Sequence, residues 1–133
     1  MRKFVRIIIE PEPQKYLILR EIRNDFTERD NYNFPGGKVE PEEVRKPHVA
    51  AERELREETN LTGNGMVLIY KGPLEFSGEM WMGYWYKTSV DFSKFKVQEK
   101  DKCVESAILS VAEMRKENIS SAIQIILDKG LIK

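Results

Sequence analysis

Three glutamates, Glu54, Glu57 and Glu58, fall within a five-residue segment that directly follows Arg53 and also carries Arg56. Wound as an α-helix at about 100° per residue, Glu57 lies about 60° to one side of Glu54 and Glu58 about 40° to the other. The three carboxylates then share an arc of about 100° on one helix face. Like charges crowded in this way repel unless something positive stands among them. A hard divalent cation answers that need, because Mg²⁺ takes oxygen ligands and keeps water and substrate phosphates in its shell. A cation held so activates water and neutralises phosphate charge. A solvated glutamate face, neutralised locally by Arg53 and Arg56, is the plainer reading of the same residues.

The helix that must carry these groups has marked ends. Pro47 suits a first turn, where its missing N–H costs nothing. Asn60 stands where a helix needs a left-handed terminator, a conformation Asn tolerates second only to Gly. The sequence therefore predicts a helix from Pro47 to about Thr59, with Gly63-Asn64-Gly65 completing the break. Ahead of it, Pro35 disfavours helix at Phe34, and Gly36-Gly37 marks a special backbone turn. Residues 38–46, with Pro41 and many charges, read as loop.

Around this centre the chain is mostly extended. Residues 3–9 are rich in Val and Ile and read as a strand. Pro11 to Gln14 form a turn, and Tyr16 to Ile22 read as the hairpin partner of the first strand. Residues 23–31 are a charged loop. Strands are predicted at Met66–Tyr70, Glu79–Thr88 and Val104–Leu109, with a charged loop over 91–102. Between Glu79 and Thr88, Trp81 and Trp85 alternate with Tyr84 and Tyr86, so both faces are bulky and the strand is central. Ser110 caps a short helix near 111–117, and Ser120 or Ser121 caps a last one that ends before Gly130. Ile123, Ile126 and Leu127 give that helix its apolar face. Strands outnumber helices and the middle helix lies between strands. The expected fold class is α+β, or a mixed α/β sandwich, in one domain over residues 1–133.

Composition narrows the function. The chain has 133 residues, 41% hydrophobic and 33% charged, which is a globular balance. Lysine plus arginine and aspartate plus glutamate each number 22, so the formal charge is zero, which argues against a general attraction to long nucleic acid. One cysteine, Cys103, leaves no intrachain disulfide and suits a reducing compartment. No apolar run approaches membrane-spanning length, and the apolar start is broken by Arg6 and stopped by Glu10. The expectation is a soluble, cytoplasmic protein; monomer and homodimer both fit.

Gly37, five residues, Glu43, and then Arg53-Glu54-Leu55-x-Glu57-Glu58-x-x-Leu61 resemble the Nudix box, G-x5-E-x7-R-E-U-x-E-E-x-G-U, with U aliphatic. Phe34-Pro35-Gly36-Gly37-Lys38-Val39-Glu40 is similar to the lead-in that members of the Nudix hydrolase family often carry. There are two departures. Nine residues separate Glu43 from Arg53 instead of seven, and Asn60 replaces the last Gly. Two extra residues inside the helix would rotate its halves by about 200° and break the face, so they belong in the loop before Pro47. That position leaves Glu42 as a competitor for the role of Glu43.

The resemblance implies a Nudix-type α/β/α sandwich with a mixed sheet. It also implies a pyrophosphohydrolase that uses Mg²⁺ or Mn²⁺ to cleave a nucleoside diphosphate linked to a group X. By the same resemblance, Glu57 and Glu58 are metal ligands together with a carbonyl of Gly36-Gly37. Glu54 is a ligand or the general base, and Arg53 and Glu43 orient the carboxylates. A later acidic ligand would come from Glu99, Asp101 or Glu105. The partner is then a small nucleotide, held by Arg20 or Arg23 and by the segment of Phe34, Gly36, Gly37 and Lys38. A nucleoside triphosphate is the first choice. ADP-ribose, a nucleotide sugar, a dinucleoside polyphosphate or a non-catalytic binding role are the alternatives. Arg29 is a further phosphate candidate, and Tyr32, Trp81, Tyr84 and Trp85 are candidates to stack a base, although strand aromatics are more often core. His48 alone makes no metal site, and Cys103 reads as a small hydrophobe.

Overall fold

The computed structural model describes residues 1–22, 31–97 and 103–133. Among these residues seven strands form two sheets. They are β1 (Arg2–Ile8), β2 (Tyr16–Ile22), β3 (Tyr32–Asn33), β4 (Gly36–Lys38), β5 (Val67–Phe76), β6 (Glu79–Lys87) and β7 (Cys103–Leu109). One sheet has the order β4-β1-β6-β5 and the other β3-β2-β7. β1 pairs in parallel with β6 and antiparallel with β4, so the larger sheet is mixed. The helices are α1 (Pro47–Thr59), α2 (Val111–Met114) and α3 (Ser121–Asp128).

Alternation along β1 and β6 builds two apolar layers. Phe4, Ile8, Trp81 and Trp85 pack with Ile123 and Ile126 of α3. Val5, Ile7, Ile9, Tyr84 and Tyr86 pack with Ala50, Ala51 and Leu55 of α1. Helices thus cover opposite faces of the larger sheet, and β6, bulky on both sides, is interior as its sequence predicts. The buried Trp85 donates from Nε1 to the Ala122 carbonyl at 2.9 Å, tying β6 to α3. Ser120 caps α3 through the Ile123 N–H.

Three expectations are corrected. β1 and β2 do not form a hairpin, because β4 and β6 occupy both edges of β1. The turn after β1, with Gln14 at φ 59°, instead hands the chain to the second sheet. β5 continues past Tyr70 to Phe76 through Gly72 and Pro73. Among the described residues it is the last strand of its sheet, the position in which a strand tolerates proline. Ser77 (φ 50°) and Gly78 (φ 78°) then turn it tightly into β6. The helix expected near 111–117 is shorter, stopping at Met114. The loop expected over 23–31 lies almost wholly outside the described residues. That over 91–102 is described as far as 97 and contains one 3₁₀ turn, Phe92–Lys94.

Candidate active site

α1 begins and ends where its sequence predicts. Pro47 opens it, and Asn60 closes it at φ 63°, ψ 11°, with the Asn60 N–H donating to the Arg56 carbonyl. Asn60 also donates from Nδ2 to the Lys94 carbonyl at 3.1 Å. Ahead of the helix a 3₁₀ turn covers Pro41–Glu43. The additional residues therefore fit in the short stretch between Glu43 and Pro47, and the helical face is intact.

Gly36-Gly37 is not a turn but part of β4, pairing with Arg6 and Val5 of β1. Both glycines are needed for closeness. A Cβ on Gly36 would overlap the Val5 carbonyl oxygen, at a φ of +155°. A Cβ on Gly37 would stand 2.5 Å from Glu54 Oε1. The helix thus presses Glu54 directly onto the strand. One turn further along, Glu58 Oε1 accepts the Gly36 N–H at 2.7 Å.

Arg53 ties the remaining groups together. Its Nε and one Nη donate to the two oxygens of Glu43 at 2.8 and 2.9 Å. The same Nη reaches the Lys38 carbonyl at 3.1 Å, and the other reaches Glu54 at 3.1 Å and Glu57 at 3.2 Å. Glu43 is buried, with 5% of its surface exposed, and also accepts the Glu40 N–H, whereas Glu42 is exposed. Between the two competitors, geometry puts Glu43 at the arginine. Hydrogen bonding to Arg53 holds the Glu43 carboxyl below the usual carboxylate range. Burial pushes the Glu54 carboxyl the other way, upward, against the pull of Arg53.

Glu54 and Glu58 line a cleft of about 710 Å³ that also takes in Gly36, Gly37, Lys38 and Phe34. Its far end is aromatic, with Phe4, Phe76 and Trp81 in edge-to-face contact around Phe76. Lys38 Nζ stands 5.8 Å from the Trp81 ring centre. Glu57 is not part of the cleft wall. Its side chain is 56% exposed and held by Arg53. Arg20 and Glu105, candidates for phosphate and for metal, instead form an ion pair with each other across β2 and β7, and neither lines the cleft. Tyr32 lies under Arg20, and Tyr84 and Trp85 are core residues. His48 is exposed on the first turn of α1. Arg23, Arg29, Glu99 and Asp101 lie outside the described residues.

Sequence reasoning missed Arg6, Glu75 and Asn33, all on the cleft wall. Arg6 interrupts an otherwise apolar strand, and its alternation with Val5 and Ile7 is the signal that placed it on the opposite face. Glu75 could not be found, since the strand carrying it was not recognised.

Among the described residues no three acidic, histidine or cysteine side chains lie close enough to enclose a cation by themselves. Yet the donors in the cleft are all oxygens, two of them carboxylates one helical turn apart. That set suits a hard cation which keeps part of its shell for water and phosphate. The residues present fit Mg²⁺ or Mn²⁺.

A mixed sheet between helices, with a carboxylate-bearing helix pressed onto a glycine strand, is the plan of a family of hydrolases. A NUDIX domain model matches residues 2–128. The fold is shared with the ORF135 protein of E. coli (24% identity, 96% of this chain and 86% of that one, TM-score 0.72). It is shared also with the MutT protein of Methanosarcina mazei Go1 (22%, 96% and 91%, TM-score 0.78). A third similar structure is the NUDIX domain of Shewanella oneidensis NrtR, solved in complex with ADP ribose (12%, 96% and 84%, TM-score 0.74). No curated protein matches the chain. The chain belongs to the Nudix family, as a hydrolase acting on nucleotide-linked phosphate anhydrides.

Proposed function

We propose that the protein is a divalent-metal-dependent pyrophosphohydrolase that converts a nucleoside triphosphate and water to a nucleoside monophosphate and pyrophosphate. The observation that carries this reading is the juxtaposition, in one cleft, of the Glu54 and Glu58 carboxylates with an aromatic far end. Glu58 and the Gly37 carbonyl would hold Mg²⁺ or Mn²⁺, with Glu54 as a further ligand or as the base, and Glu57, on the same helix face but off the cleft wall, would add negative charge from beside them. When bound, the cation supplies charge neutralisation of the phosphates and a lowered pKa for water.

The protein's own residues do the rest. As the base, Glu54, held against Gly37 on the cleft wall, takes the proton of the attacking water. Arg53 and Glu43 hold Glu54 in place against Gly37. Gly36 and Gly37 let the backbone come close enough for both carboxylates to face the cleft. Lys38 offers charge to the phosphate chain, and Phe34 closes the floor. The volume suits a small nucleotide. Among the described residues no helix is long and apolar enough to cross a membrane, and we place the enzyme in the cytoplasm, where its single thiol would stay reduced.

A panel of nucleoside triphosphates, assayed for pyrophosphate release with Mg²⁺ and with chelator, tests the reading. Turnover that vanishes with chelator and rises toward alkaline pH is expected. Rapid cleavage of ADP-ribose or a dinucleoside polyphosphate, with no triphosphate turned over, rejects the substrate and keeps the family. The ADP ribose in the NrtR structure makes that the alternative to include.

A further inference from the structure

We propose that Arg6 is the phosphate-holding residue of the cleft and at the same time the fixed positive charge that tempers its carboxylates. The inference rests on the reading of the cleft as a nucleotide site and names a residue that the box motif does not contain.

The backbone puts Arg6 there. Val5, Ile7 and Ile9 face α1, so Arg6, between them, points to the opposite side of the sheet with Phe4 and Ile8. Its register partner is Gly36, the residue whose N–H is bound by Glu58. One Nη donates to the Phe34 carbonyl at 3.1 Å, two residues before Gly36. The guanidinium also stands 5.9 Å from the Phe4 ring centre. Arg6 is therefore fixed between the carboxylate end of the cleft and its aromatic end, and it lines the wall together with Glu54 and Glu58.

Its bonding is incomplete. The Nε is buried and has no hydrogen-bond partner. A guanidinium has five N–H donors in a planar fork and stays charged inside proteins. Arg6 as a whole is half-buried, but a buried donor of a cation left without a partner is costly unless something anionic completes it. Both Glu54 and Glu58 favour its charged form by attraction, while burial opposes it. A phosphate chain running from the carboxylate end toward the aromatic end passes this head, and phosphate oxygens accept the two parallel N–H bonds of a guanidinium fork.

Two effects of opposite sign follow. Arg6 should strengthen binding of a phosphate chain, and it should weaken binding of a bare cation by the same carboxylates, since like charges repel. A residue that only propped up β4 would move both affinities in the same direction.

The test compares wild type, Arg6→Met and Arg6→Lys by calorimetry. The probes are Mn²⁺ alone and then imidodiphosphate, a non-hydrolysable pyrophosphate analogue, with Mn²⁺ present. Arg2→Met, at an exposed cation paired with Glu79, controls for general charge. For Arg6→Met we expect Mn²⁺ alone to bind severalfold more tightly and imidodiphosphate about tenfold more weakly or worse. Arg6→Lys, which keeps the charge and loses the fork, should leave Mn²⁺ affinity near wild type and still weaken imidodiphosphate. If Arg6→Met does not fold, Arg6→Lys decides alone. Imidodiphosphate affinity within twofold of wild type, or joint weakening of both ligands, overturns the inference, as does a wild type that does not bind imidodiphosphate. If wild type binds imidodiphosphate and Arg6→Met loses it while no triphosphate is turned over, the substrate assignment fails and the role of Arg6 stands.

Discussion

Arg53 clasps Glu43 through two nitrogens, Nε on one carboxylate oxygen at 2.8 Å and an Nη on the other at 2.9 Å. This fork joins the 3₁₀ turn to the helix across the widened spacing, so the inserted residues bulge without disturbing the pair. Charge-assisted, two-pronged and mostly out of water, it belongs to the stronger class of hydrogen bonds.

The pair should matter to stability, with a defined pH dependence. Glu43→Gln removes the charge and one acceptor oxygen, and should cost about 1.5–3 kcal/mol in urea unfolding near neutral pH. Glu42→Gln, at an exposed site, should stay within about 0.5 kcal/mol of wild type. The folded Glu43 titrates below its unfolded value of about 4.3. Its contribution is thus fully present above that value and is lost as pH falls through the lower folded one. Unfolding curves of wild type and Glu43→Gln should converge in acid. A gap that does not narrow as the pH falls below the unfolded value contradicts this assignment.

The extent of α1 was legible because both of its ends are written in local chemistry, a proline that needs no N–H and an asparagine that accepts φ of 63°. The face of the helix followed from spacing alone. What was not legible depends on partners distant in the chain. Residues 16–22 look like a hairpin partner for β1, and only the competing claims of β4 and β6 on both edges of β1 send them elsewhere. Gly36-Gly37 reads as a turn in one dimension, while in three the absence of Cβ serves contact with Val5 and Glu54. Arg6 reads as an interruption of an apolar strand until the neighbouring Gly36 and Glu58 are seen beside it.

The two glycines should respond differently to the same substitution. Gly36→Ala forces a Cβ into the Val5 backbone at a φ that L-residues avoid. Neither side can yield, so stability should fall by about 2–4 kcal/mol, read as a lower melting temperature. Gly37→Ala meets only the end of a side chain, and Glu54 can rotate aside. Melting should change little while turnover falls at least about tenfold, because the displaced carboxylate no longer faces the cleft. Equal losses of stability in the two variants would contradict the distinction.

Asn60 offers a test of the helix terminus. Asn60→Gly removes left-handed strain and also the Nδ2 bond to Lys94, two small opposing effects, so it should be neutral within about 0.5 kcal/mol or slightly stabilising. Asn60→Val retains neither the bond nor an easy left-handed conformation and should cost about 1–2 kcal/mol. Chemical denaturation of both variants measures this directly. Activity per folded molecule should be unchanged in each, since Asn60 does not line the cleft.

The three glutamates should not contribute equally. Glu58 faces the cleft and accepts the Gly36 N–H, whereas Glu57 is over half exposed and bonded to Arg53. Glu58→Gln keeps the shape and can still accept that N–H, but it removes a charge from an oxygen set suited to a divalent cation. Turnover should fall by about a thousandfold or more, with melting little changed. Glu57→Gln should lower turnover by about tenfold at most, because its carboxylate stands off the cleft wall and Arg53 keeps Glu43 and Glu54 as partners. Rates measured across a Mg²⁺ titration separate the two. Glu57→Gln should be recovered in part by added Mg²⁺, and Glu58→Gln should not. A Glu57→Gln variant as inactive as Glu58→Gln would show that Glu57 turns from Arg53 into the cleft when the cation binds.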